Sequence, residues 1–416
     1  MGAWGDDAKP LKVAALITTF FPRSHAHVIL ENFLVPYLFN GQVTHSNTQI
    51  ASVFVDQIHE QDMSRDVAAR FKIPTFPTIA DALTLGGDRL AVDAVLLIGE
   101  HGSYPTNAKG QVEYPRKQFF DQTVAVFRKS GQVAPIFCDK HLSYRWDWAK
   151  EMYDTARAMQ IPFMAGSSVP LAERRPPLEL PAAAPITAAV SIHGGGVESY
   201  DFHALEVLQS QLEGRKGGET GVRSVRFAEG EPLWKAAADG LWSTELAAEA
   251  MAAEVGEDHE LVKVFRAKGS QATKEPIHAI LVEYRDGLKA AALKVGSSGI
   301  RWNFACQLAG ENKPRATAYY VGPWQNRNLF RALSHAIQTH FRQRKAPYPV
   351  ERTLLVTGVL DAAMDARMVG KAVETPQLDL KYAAQDFRAM REMGATWKII
   401  TETTKEPAGI EPVGVG

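Results

Sequence analysis

The stretch Asp93-Ala94-Val95-Leu96-Leu97-Ile98, followed by Gly99-Glu100-His101-Gly102, decides the fold. An unbroken apolar run of this length is what a strand buried on both faces requires, and such strands belong to parallel sheets covered by helices. Upstream, Val13–Ile17 and Gln49–Val55 read the same way, the latter ending at Asp56. Helices are expected between them at Ser24–Leu38, with Ser24 as N-cap, at Ser64–Phe71 and at Thr78–Leu83. Downstream come a helix at Lys117–Ser130, a strand at Val133–Phe137, a helix at Trp146–Met159 and a strand at Pro162–Ala165. Strands alternating with helices predict right-handed crossovers and a doubly wound, Rossmann-like parallel sheet.

The proline-rich segment Leu171–Pro185 then breaks the pattern and is expected to link two domains, 1–170 and 171–416. A chain of 416 residues is too long for one ordinary core. Beyond the linker, Ile186–His193 and Val222–Ala228 flank a helix at Phe202–Glu213. Short runs at Ile277–Tyr284, Leu288–Lys294 and Ala316–Tyr320 predict a mostly antiparallel, open sheet, closed by helices at Asn328–Arg342 and Val350–Ala366. Both ends, Met1–Pro10 and Glu406–Gly416, are expected to fray.

Composition narrows the function. The formal net charge is -1 with no basic stripe, which argues against a nucleic-acid partner. Two unpaired cysteines, Cys138 and Cys306, exclude a disulfide framework, and no long apolar run or leader is visible, so a cytoplasmic protein with no membrane contact is expected.

Ligands of open parallel sheets lie beyond the carboxyl ends of the strands. There the sequence offers Thr18, Thr19, Ser24 and His25 after the first strand, Asp56 after the second, Glu100 and His101 after the third, and Asp139, Lys140 and His141 after the fourth. A carboxylate at Asp56 suits the ribose hydroxyls of NAD and repels the extra phosphate of NADP. The hydroxyls and helix start of Thr18–His25 suit an anion, or make only a capped turn, for this loop contains no glycine. Lys140 can hold a substrate hydroxyl beside Asp139, and His203, after the glycines 194–196, is a candidate general base. Each also has a plain structural reading, as a surface ion pair and a helix cap. Trp302 and Trp324 suit either sugar stacking or core packing. Arg215–Gly221 reads as a turn, lacking the ending of a phosphate loop.

The order of these features resembles the Gfo/Idh/MocA family, meaning glucose-fructose oxidoreductase, inositol dehydrogenase and relatives. Asp139-Lys140-His141 stands where the family has Glu-Lys-Pro, and Gly195–His203 resembles its glycine-rich run ending in D-x-x-x-H, with Ser199 in place of the Asp. The resemblance implies a Rossmann domain joined to a C-terminal α/β domain, catalytic roles for Lys140, His203 and Asp139, and NAD bound by Thr18, Thr19, Ser24, His25, Asp56, Glu100 and His101. It also implies a sugar-like substrate and a homo-oligomer formed through the C-terminal sheet. The glycine-free loop leaves an alternative open: a lyase, isomerase or hydrolase without nucleotide, with a metal held among His101, His141, His193, His203, Glu100 and Glu198.

Overall fold

A computed structural model describes residues 9–268, 275–297 and 302–411. Five strands form the first sheet, in the order Thr48–Val55, Leu11–Ile17, Ala94–Ile98, Ile136–Asp139 and Phe163–Gly166. All are parallel, with Val13 opposite Ala94 and Ile17 opposite Ile98. A parallel bridge from Val53 to Thr75 extends its edge. Successive connections leave the central strand in opposite directions, so the crevice opens between the ends of Leu11–Ile17 and Ala94–Ile98. The apolar run that suggested the fold is wholly buried there, with Ala94 to Ile98 at 0% exposure.

The second sheet has eight strands, in the order Val373–Glu374, Val222–Glu229, His278–Tyr284, Lys289–Lys294, Ile186–His193, Trp302–Leu308, Arg315–Tyr320 and Glu173–Arg175. Its pairings are antiparallel except that of Lys289–Lys294 with Ile186–His193. One face packs on the helices Ser199–Leu212 and Val350–Val369. The sheet is open at both edges, as expected, and its other face is covered by Leu246, Met251, Val262 and Phe265, from the helices Thr244–Val255 and Glu260–Arg266.

Several expected boundaries move for local reasons. Ser24 does cap its helix, taking the amide of His27 at 3.2 Å, but the helix is His25–Leu34. Pro36 cannot continue it, and Tyr37–Phe39 turns instead into a two-stranded hairpin with Gln42–Thr44. The proposed linker is in part an edge strand, Glu173–Arg175 pairing with Arg315–Tyr320. Helices Glu231–Ala238, Thr244–Val255 and Glu260–Arg266 and the strand Trp302–Leu308 have no counterpart among the expectations. Nor does the tail fray at Glu406: its carboxylate bridges Arg23 and Arg327, and Ile410 is buried. Met1 to Ala8 and the last five residues lie outside the described residues. Helix Asn326–Gln343 crosses back to the first sheet, where Phe330, Leu333 and Ile337 join Val13, Val28 and Ile29 in one core.

Candidate active site

The first-strand loop is held from within. Thr18 gives its hydroxyl to the Glu100 carbonyl at 2.6 Å, tying the first and third strand ends together. Ser24 is spent on its own turn, accepting the amides of Phe21 and His27. Thr19 differs: its hydroxyl is buried and has no protein partner. Arg23 reaches the Trp324 carbonyl at 2.9 Å and Glu406 at 2.5 Å. His25, the first residue of the helix, places Nδ1 2.6 Å from the buried carboxylate of Asp139.

A cavity of about 370 Å³ opens where this loop meets the second sheet, and His25, Glu100, His101, Lys140, His203 and Trp302 line it. Lys140 Nζ lies 2.8 Å from Glu100 Oε1 and 3.4 Å from the Ser199 carbonyl. The other Glu100 oxygen is held by the fully buried Arg116. Burial alone would raise the Glu100 carboxyl, but Lys140 and Arg116 outweigh it and hold it well below the usual carboxylate range. Gly99 is needed here, because a Cβ would sit 2.7 Å from Arg116 Cγ. Lys140 and His101 both have positive φ, 64° and 68°, a strain that tends to collect at functional sites.

From the second sheet comes His203, with Nδ1 2.6 Å from Ser167 Oγ. Burial pushes its imidazole well below the usual range, so it stands neutral. His101 is lowered to about 4 by the same cause. Trp302 stacks on Tyr200 with ring centres 5.4 Å apart, which joins the sugar-stacking and core-packing readings in one side chain. Trp324 is buried and gives Nε1–H to the Thr404 carbonyl. Gly195 is the glycine of its run that this wall requires: a Cβ there would lie 2.1 Å from the Tyr200 ring.

Lys140, His203, His25, Glu100 and His101 therefore meet at one cavity, with Asp139 directly behind His25. Thr18, Thr19, Ser24 and Asp56 are not on its wall. Asp56 is exposed at the end of the second strand and accepts the Tyr104 hydroxyl at 2.7 Å, while Gln57 clasps Ser103 through both backbone groups.

The six residues considered for a metal divide. His141 and Glu198 stand beside Arg116 and Glu100, whereas His193 turns to Asp201 and His278. That trio is the one group of possible ligands within 4.8 Å among the described residues. Asp201 Oδ1 lies 2.9 Å from His193 Nε2 and 2.8 Å from His278 Nε2, and Oδ2 accepts the Glu198 amide at 2.8 Å. Every one of these contacts is of hydrogen-bond length, so the trio holds itself together. Sequence reasoning missed Arg116, Ser167 and His278. Arg116 opens a helix after a long irregular loop, and His278 lies 77 residues from its partner, so neither carried a local signal.

No protein-family model matches the sequence, and no curated protein matches it. Solved structures do match in shape. GenD2 from gentamicin A biosynthesis, determined in complex with NAD, is 13% identical over 90% of this chain and 99% of its own, with a TM-score of 0.56. Myo-inositol 2-dehydrogenase from Lactobacillus plantarum is 9% identical over 88% and 99%, with a TM-score of 0.54. Scyllo-inositol dehydrogenase from Lactobacillus casei, with bound cofactor NAD(H) and scyllo-inositol, is 9% identical over 88% and 99%, with a TM-score of 0.53. At such identities the likeness is one of architecture: the chain has the fold of GenD2 and of these inositol dehydrogenases.

Proposed function

We propose that the chain is an NAD-dependent oxidoreductase that moves a hydride between the nicotinamide and a sugar, polyol or related hydroxyl compound. The observation that carries this reading is the meeting of Lys140, fixed by Glu100, and neutral His203 on one cavity at the carboxyl end of the parallel sheet. The proposed boundary near residue 170 gives a nucleotide unit and a substrate unit, with the cavity between them.

The residues fit the cofactor on two counts. Thr19 leaves a buried hydroxyl without a partner in the loop that leads to the helix His25–Leu34, whose N-terminal end favours an anion. Asp56 is exposed at the strand end where a ribose diol binds, although its present partner, Tyr104, must yield to it. Bound there, the nicotinamide supplies the acceptor for a hydride from substrate carbon.

The chain's own residues handle the proton. In the tautomer whose Nδ1–H points to Ser167 Oγ, His203 would keep a lone pair on Nε2 and take the proton of the substrate hydroxyl. Lys140 donates to that same oxygen and stabilises its developing negative charge, while Glu100 holds the ammonium in place. His25, anchored by Asp139, lies on the first-loop side of the cavity, and His101 completes that wall.

Among the described residues, no helix is long and apolar enough to cross a membrane. A cytoplasmic location and a homo-oligomer belong to this proposal. Because helices cover the second sheet's outer face, copies would meet through those helices or the sheet's edges. The test of function is a thermal shift with NAD and with NADP near millimolar concentration. A ligand that binds only the folded chain raises its stability by about 2.7 kcal/mol at a hundred times its Kd. NAD is expected to raise Tm by several degrees and NADP by less; no shift with either would overturn the reading.

A further inference from the structure

Glu198 is the N-cap of the helix Ser199–Leu212, where its side chain takes the Asp201 amide in a capping box, and it carries two costs that this cap and the nearby Lys140 and Arg116 offset only in part. Its backbone sits at φ 68° and ψ -67°, and the Ser199 amide reaches back to the Val197 carbonyl at 2.9 Å. That is the γ-turn with positive φ, a rare and strained conformation for a residue with a side chain. Three glycines, 194 to 196, precede it, yet the strained position itself holds glutamate.

The second cost is electrostatic. Glu198 is buried on the cavity wall, and its Oε1 has no hydrogen-bond donor. His141 Nε2 lies 3.4 Å away but cannot donate, because it already faces Arg116 Nη1 at 3.1 Å and a guanidinium only donates. Burial pushes the carboxyl up to about 7, against the opposing pull of Lys140 and Arg116.

The strain is maintained by a built clamp. Asp201 Oδ2 holds the Glu198 amide, and Asp201 Oδ1 is itself held by His193 and His278. These two histidines come from strands flanking Lys289–Lys294, in one register line across the sheet. A rigid sheet thus fixes the turn, and the turn fixes the carboxyl beside Lys140 and the helix bearing His203.

We propose that Glu198 is a substrate-binding carboxyl that takes a second hydroxyl of the substrate, so that the cavity selects diols and polyols over simple alcohols. This rests on the oxidoreductase reading and names its substrate class more closely. The substrate hydroxyl supplies the partner that Oε1 lacks, and the strain is tolerated because only this turn brings the carboxyl there. Asp201, His193 and His278 are positioning residues.

The experiment compares the full chain with Glu198→Gly and Glu198→Gln. Binding of myo-inositol, scyllo-inositol and glucose is followed by calorimetry in the presence of NAD, NAD reduction by absorbance, and Tm by scanning calorimetry. Glycine accepts the positive φ without strain. Glu198→Gly is therefore expected to match or exceed the parent in Tm while losing polyol affinity at least ten-fold. Glu198→Gln, which keeps a hydrogen-bonding group in place, should recover part of that loss. Parent and Glu198→Gly binding a polyol equally well, or a Glu198→Gly protein whose Tm falls with no loss of affinity, would reduce Glu198 to a structural cap and overturn the inference alone. A parent that binds NAD but none of the three overturns the inference and leaves the oxidoreductase reading standing, whereas a parent that binds no NAD overturns that reading, and the inference with it.

Discussion

His25 Nδ1 and Asp139 Oδ2 lie 2.6 Å apart, joining the start of the first helix to the end of the fourth strand of the parallel sheet. The Asp139 side chain is 2% exposed, and that of His25 is 12% exposed on the cavity wall. A buried carboxylate on one ring nitrogen fixes which face the imidazole turns to a ligand. Asp139 is thus a positioning residue for His25 and the immediate neighbour of Lys140 in the chain.

Asp139→Asn keeps the shape and removes the charge. It should lower kcat by roughly 10²-fold or more, a span typical of misaligned acid–base groups, with Tm changed little. Combined with His25→Ala it should be scarcely worse than the poorer single change, because the two act as one unit. Steady-state kinetics on the three variants decide it: additive losses would separate Asp139 from His25.

The convergence of Lys140 and His203 was legible because the order of strands dictates which loops meet, whatever the loops contain. Val13–Ile17 and Ala94–Ile98 announced their burial by being apolar without interruption. Trp302–Leu308 hid itself, since Asn303 and Gln307 break its pattern; the structure satisfies Asn303 by a bond from Nδ2 to the Ala250 carbonyl. Helix Thr244–Val255 lies on the sheet through small alanines, so its apolar stripe barely stands out. The pairs that make the site work, Arg116 with Glu100 and Asp201 with two histidines, depend on side-chain reach between distant segments, which no local spacing records.

Glu100 lies between two buried cations, so its removal leaves both uncompensated. Glu100→Gln should destabilise the chain by roughly 3–5 kcal/mol, the range for breaking a buried ion pair. The sign with pH follows from its depressed carboxyl. The stabilisation is fully present above the unfolded value of 4.5 and is lost as pH falls through the lower folded value. Urea unfolding at pH 7 and in acid should show the gap between parent and variant narrowing as pH drops. A constant gap would assign the effect to packing.

Glu206 reverses that sign. It lies on the helix behind His203, fully buried, with only the Thr353 hydroxyl and the Ser167 backbone amide as weak neutral partners for its carboxyl. Its nearest cation, Arg352, is already committed to Glu213 at 2.5 and 2.9 Å, and Glu213 adds repulsion. Burial dominates and pushes the carboxyl from 4.5 up to about 7. Between those values the folded chain keeps a proton that the unfolded chain has lost, so the contribution of Glu206 is complete below 4.5 and is lost as pH rises through about 7. Glu206→Gln fixes the neutral form. It should match the parent near pH 4.5 and become more stable as pH rises, by about 3 kcal/mol at pH 8 and above. Denaturant unfolding of both proteins across that range measures the difference directly. Equal stability at pH 8 would mean that the ionised carboxylate is held inside the fold, by a closer approach of the Thr353 hydroxyl and the Ser167 amide or by Arg352 turning from Glu213.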